Sequence, residues 1–123
     1  MSTTKQVLDR HLAAFLANDL GGVLADYGEE IVFFTREGPR RGVVEVRPLF
    51  ERLIAEFSQP GSRFTMEQYA AEGEHGYFVW NAQTADNTYE MATDTFVVRD
   101  GRIVAQSFTA SVRPATKDRR AEP

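Results

Sequence analysis

The stretch from Ala92 to Phe108, ATDTFVVRDGRIVAQSF, constrains the fold more than any other part of the chain. Two β-branched and aromatic runs meet at Asp100-Gly101, the kind of dipeptide that a type I′ turn selects because both of its central residues take positive φ. The stretch therefore reads as a hairpin. A two-residue turn there pairs Val98 with Ile103, Phe96 with Ala105 and Asp94 with Ser107. Asp94 is the misfit. A carboxylate on an otherwise apolar strand faces water or lines a cavity, and in a cavity desolvation raises its pKa and equips it to handle a proton.

The residues before the hairpin supply helices, and those just ahead of it supply more strand. Thr3-Thr4-Lys5-Gln6 fits a capping box, and Val7, Leu8, His11, Leu12, Phe15 and Leu16 repeat at helical spacing to about Asn18. Asp19 suits the cap of a short second helix, Leu20 to Tyr27. Ile31 to Thr35 is a strand, and Arg36-Glu37-Gly38-Pro39 reads as a turn. Val44 to Phe57 carries Leu49, Leu53, Ile54 and Phe57 on one helical stripe, with Pro48 tolerated only near its start. From Arg63 onward the pattern is strand, broken at Gly73-Glu74, Asp86-Asn87 and Asp100-Gly101. Helices followed by an antiparallel meander predict an α+β domain: a cone of three N-terminal helices on a strongly curved, mostly antiparallel sheet. One domain over residues 1–112 fits this length, and residues 113–123 read as a disordered tail with nothing to bury.

Charge narrows the partners. The net charge is −4, and the last eleven residues hold four basic groups against two acidic ones. The body is thus distinctly acidic, which argues against nucleic-acid or anionic-membrane binding. Without cysteine there is no disulfide and no thiolate metal site. Apolar stretches fall short of a membrane span, and no charged-then-apolar leader opens the chain, so a soluble, cytoplasmic protein is expected. No metal or cofactor is expected either, since no glycine-rich phosphate loop or HExxH occurs and only two histidines are present.

Carrying both turns through as two-residue loops also pairs Val79 with Asp94 and Asn81 with Ala92. One face of the sheet then holds Tyr77, Val79, Asn81, Asp94, Phe96, Ser107 and Thr109, a mixed pocket lining. The other holds Phe78, Trp80, Met91, Val97 and Phe108, too apolar for water and suited to a homodimer contact. A slip of one residue would exchange the two faces.

In element order the chain resembles the nuclear transport factor 2-like superfamily, and within it the SnoaL-like polyketide cyclases and ketosteroid isomerases. The likeness runs from about Val7 to Val112 and is carried by RHLAAFLANDLGGVLADY, the RRG turn and TDTFVVRDGRI. It implies a ligand-holding cone. Asp94 matches an aspartate that ketosteroid isomerases keep protonated as a donor to an enolate oxygen. His11 stands where they place a second donor, a tyrosine, and Thr35 where they place their catalytic base. In the SnoaL-like cyclases an aspartate of the late strands is the acid–base group, a role open to Asp94 with His11 orienting it or sharing its proton.

Each candidate has a plainer reading. His11 is also a core histidine with one satisfied nitrogen, and Asp94 a partner for a structural hydrogen bond. Glu56 and Asp19 read as a solvated acid and a cap. The expectation is a cofactor-independent acid–base enzyme of the isomerase, cyclase or dehydratase type, acting on a small apolar carbonyl or polyketide-like compound. Asp94 and His11 are its catalytic candidates, facing each other as an ion-pair-like unit. Tyr27, Thr35, Phe50, Asn81, Phe96, Ser107 and Thr109 are the substrate-binding candidates. The alternative is a non-catalytic ligand-binding or dimerising module of the same fold.

Overall fold

Thr3 opens the first helix as the capping box predicts: its hydroxyl accepts from Gln6 N at 3.1 Å while its own N–H donates to Gln6 Oε1 at 2.9 Å. The structure, a computed structural model, describes residues 2–115. Helix α1 spans Thr4–Leu16 and α2 spans Leu20–Ala25, the latter capped by Asp19 on Gly22 N at 3.0 Å. After β1 (Tyr27–Thr35) and β2 (Gly38–Arg41) comes α3, Gly42–Phe57. Four strands follow: β3 (Arg63–Glu72), β4 (His75–Gln83), β5 (Asn87–Arg99) and β6 (Arg102–Pro114).

The strands form one curved six-stranded sheet in the order β2-β1-β6-β5-β4-β3. Only β1 and β6 run parallel. The three helices cover its inner face, giving the expected α+β architecture. Three boundaries differ from expectation. The second helix stops at Ala25, because Tyr27 already pairs with Ile103 of β6. The segment read as a turn, Gly38 to Arg41, is a short edge strand. Strand β6 extends past residue 112, where Arg113 pairs with Thr88 and donates to Glu90 at 2.9 Å. The rest of the expected tail, residues 116–123, lies outside the described residues.

Two β-bulges decide which side chains face inward. Asp100 and Gly101 both have positive φ, as the turn requires, and Val98 pairs with Ile103. An extra residue on β6 then shifts the register, so Val97 meets Ala105, Phe96 meets Gln106 and Asp94 meets Phe108. The β4–β5 turn is centred on Ala85-Asp86 rather than Asp86-Asn87, since Gln83 pairs with Thr88 and Thr84 N bonds Asn87 O. A second bulge brings Phe78 opposite Asp94 and Trp80 opposite Ala92. Asp94 and Phe96 remain on the inner face, but their cross-strand partners are exchanged.

The core lies between this inner face and the helices. Val7, Ile31, Val46 and Ile103 are fully buried, and each such side chain is worth about 1.5–3 kcal/mol. Glu56, expected in solvent, ties the end of α3 to the β4–β5 turn by accepting from Thr84 Oγ1 (2.6 Å), Asn87 Nδ2 and Tyr89 Oη (both 2.9 Å). Among the described residues no helix is long and apolar enough to cross a membrane.

Helix α1 approaches β4 at Gly76, where a Cβ would run into Leu8 Cδ1 and meet Phe96 Cδ1 at 3.5 Å. Leu8 has no exposed surface and little room to move. Gly76→Ala is therefore expected to lower unfolding free energy by about 1–3 kcal/mol, as overpacking does. A urea melt that leaves the midpoint unchanged would contradict this close approach.

Candidate functional site

A cavity opens between the helices and the inner sheet face. His11, Leu12 and Phe15 of α1 and Phe50, Leu53 and Phe57 of α3 form its helical wall. The sheet contributes Phe33, Phe64, Phe78, Trp80, Asp94, Phe96, Gln106 and Phe108. About 60 Å³ of it is open to the centre of a water molecule. That is room for roughly four waters, or a single small ring. Phe57 and Phe64 each pack on Trp80, with ring centroids 6.0 and 5.2 Å away, and Phe108 stacks on it at 16°. A planar apolar guest suits such walls.

The polar groups form one connected chain. Trp80 Nε1 donates to Asp94 Oδ2 at 2.8 Å, and Gln106 Nε2 donates to Oδ1 at 3.0 Å. Gln106 Oε1 accepts from the Tyr27 hydroxyl at 2.6 Å, with the Nε2 end of the amide toward Asp94. The Tyr27 oxygen lies 3.3 Å from His11 Nε2, and His11 Nδ1 lies 3.2 Å from Asp26 Oδ2. Asp26 also accepts from Arg10 Nε at 2.8 Å, and the Arg10 side chain is half exposed. An ionised carboxylate only accepts, so the Asp26 contact assigns the Nδ1 proton of His11.

The two carboxyls diverge. Burial raises Asp94 from 3.8 to about 6, against the opposing bonds from Trp80 and Gln106 and the charge of His11. Asp26 is buried too, but its bonds from His11 and Arg10 outweigh desolvation and hold it below the usual carboxylate value. Desolvation, reinforced by Asp94 and Asp26, pushes the Tyr27 hydroxyl well above 10, so it stays a donor.

The expected residues separate into two groups. Asp94, His11, Phe50 and Phe96 line the cavity, and Tyr27 stands behind it within the chain of bonds. The expected pairing of Asp94 with His11 is replaced: the histidine bonds Asp26, and its hydrogen-bonded path to Asp94 runs through Tyr27 and Gln106. Thr35 is outside the cavity, bonded to Gly38 O in the β1–β2 turn. The bulges turn Asn81, Ser107 and Thr109 outward, with Asn81 bonded to Glu67 and Ser107 and Thr109 opposite Thr95 and Thr93. Phe78, Trp80 and Phe108, assigned to a dimer face, point into the cavity instead. Sequence reasoning missed Asp26 and Gln106; the available signal was that a histidine on an apolar stripe requires a buried partner. Among the described residues no three His, Asp, Glu or Cys side chains are grouped as a metal site requires.

The raised carboxyl predicts a pH dependence. The folded protein binds the Asp94 proton more tightly than the unfolded chain does, so this group's contribution to stability falls as pH rises from 3.8 to about 6. Between pH 5 and pH 7.5 the wild type should lose about 1 kcal/mol more stability than Asp94→Asn. Parallel denaturant profiles for the two proteins across that window would show that Asp94 is not shifted.

The chain belongs to the SnoaL-like domain family, whose pattern matches residues 8–106. No curated protein matches it. Among solved structures it is similar to a nuclear transport factor 2-like protein of unknown function from Mesorhizobium loti, with 23% identity, 88% of this chain and 90% of that one covered, and a TM-score of 0.75. A ketosteroid isomerase-like protein from Kribbella flavida shares 13% identity over 88% of this chain and 77% of its own, with a TM-score of 0.71. TerC, co-crystallised with polyporic acid, shares 14% identity over 89% and 92%, also with a TM-score of 0.71. At these identities the likeness establishes the fold.

Proposed function

We propose that this SnoaL-like domain is a small-molecule enzyme that works without a cofactor, using Asp94 as its acid–base group on a small apolar carbonyl or polyketide-like compound. The observation that carries the reading is a buried carboxyl at about 6 on the floor of an aromatic cavity. A base with a pKa close to the working pH combines the right protonation state with useful proton affinity. Asp94 takes a proton from the carbon beside the substrate carbonyl, leaving an enolate. Return of the proton at another carbon isomerises the substrate, attack on a second carbonyl closes a ring, and loss of a β-hydroxyl as water dehydrates it. His11 acts through Tyr27 and Gln106 as a positioning residue rather than on the substrate. The SnoaL-like family and the ketosteroid isomerase-like relative support the reaction class, and the TerC complex supports a small-molecule occupant.

The direct test is exchange of the protons next to the carbonyl of small cyclic ketones in D2O, followed by NMR. Wild-type protein should exceed Asp94→Asn by about 10²–10⁴-fold, the usual worth of a positioned acid–base group. Equal rates would leave the binding-module alternative as the better account.

A homodimer through the outer sheet face belongs to the same proposal. Phe34 on β1 and Met91 on β5 are each 51% exposed there, and Tyr77 on β4, the strand beyond β5, is 36% exposed. Apolar side chains left in water on one face favour association. Light scattering should give a dimer at micromolar concentration and a monomer for Phe34→Glu; a monomeric wild type would refute the contact.

A further inference from the structure

We propose that the cavity is built for the hydroxyl form of its ligand, an enol or a phenol, and that Tyr27 and Gln106 are the positioning residues that select it over the matching ketone. The inference deepens the reading of Asp94 as a proton acceptor and rests on it.

The polarity of the site follows from who donates to whom. Both Asp94 oxygens already accept an N–H, from Trp80 at 2.8 Å and from Gln106 at 3.0 Å. Each retains capacity for one further donor, and Asp94 itself lines the cavity. A ligand hydroxyl can fill that place with a charge-assisted bond, about twice as strong as a neutral one. A carbonyl or ether oxygen there would set its lone pairs against a carboxylate.

Gln106 is the element of choice in this arrangement. An amide turned end for end would present its carbonyl to Asp94, force a proton onto the carboxyl and make the site a donor. With its oxygen 3.3 Å from His11 Nε2, the Tyr27 hydroxyl favours the present orientation by donating to Gln106 Oε1 at 2.6 Å. It stays protonated because it is buried beside two carboxyls. Tyr27→Phe would keep the ring and release the amide.

The titratable groups around Asp94 are few. His11 of α1 and Tyr27 of β1 lie on one side, with Asp26 behind them held by Arg10. From α3 only Phe50, Leu53 and Phe57 reach the cavity, and from β4 only Phe78 and Trp80. The pH response of ligand choice is therefore expected to come from Asp94 together with His11, the other titratable group on the cavity wall.

The chain has a single tryptophan, Trp80, whose indole N–H bonds Asp94, so its emission reports on the site. Phenol, a ring locked in its enol form, is titrated against fluorobenzene and benzaldehyde, with calorimetry as a second readout. At pH 7.5 phenol should bind at least roughly tenfold more tightly than either, the worth of one hydrogen bond to a charged group. At pH 5, with Asp94 protonated, the order should move toward benzaldehyde. Tyr27→Phe should lose most of the phenol advantage at pH 7.5. Equal binding of phenol and fluorobenzene, no binding of phenol at millimolar concentration, or a preference that ignores pH would each overturn the inference. The pH comparison uses wild-type protein, so it decides the matter even if Tyr27→Phe does not fold. Phenol selectivity without ketone exchange would refute the catalytic reading alone; ketone exchange without phenol selectivity would refute this inference alone.

Discussion

A carboxylate set among nine aromatic side chains dictates what every neighbouring polar group must do. Asp94 is 7% exposed, and an ionised acid in such surroundings persists only if its oxygens are bonded. Trp80 and Gln106 meet that need, but a buried glutamine has a carbonyl of its own to satisfy, and Tyr27 does so. The tyrosine oxygen in turn lies beside His11, and His11 beside Asp26, before the chain ends at Arg10 near water. Among the described residues no buried side-chain polar atom lacks a partner. One acid on β5 thus orders residues from the middle of α1, the end of α2 and three other strands.

The helices and the last hairpin were legible because each depends on a short local code. The capping box, the Asp19 cap and the positive-φ pair at Asp100-Gly101 all work within a few residues. The registers were not legible, because a bulge is selected by packing against the helices, which leaves little local mark. One extra residue beyond Ile103 is enough to replace Ser107 with Gln106 across from the cavity side of β5. Asp94 and Phe96 survive that shift because their own alternation along β5 sets their direction. Strand β2 was missed for a different reason: Gly38-Pro39-Arg40-Arg41 has turn composition, and it is strand only because it borders β1 at the sheet edge.

Much the same division runs through the site. His11 and Asp94 could be singled out as polar residues in apolar company, a mismatch that a single sequence displays. Phe96 follows from its strand, and Phe50 from its helical spacing to Leu53 and Phe57. Asn81, Ser107 and Thr109 rest on an assigned sheet face, and that face depends on the registers, whereas Thr35 rests on the family resemblance alone. Asp26 was hidden by continuity, since it follows Leu24-Ala25 as though still helical, yet it caps the short helix and turns its carboxylate back to His11.

Position in the fold therefore says less about Asp94 than its donors do. The family resemblance implies a protonated aspartate here, donating to an oxyanion. A protonated Asp94 would have to give up one of two N–H bonds it now accepts, since the oxygen carrying the proton has less to offer Trp80 or Gln106. Those two donors draw the carboxyl down while burial pushes it up, and about 6 is where the opposing effects balance. Replace them with apolar residues and the same strand position becomes an acid; add another donor and it becomes an inert anion. The proton chemistry available at this point of the sheet is thus set from the neighbouring strands, by a tryptophan on β4 and a glutamine on β6 whose orientation a tyrosine holds.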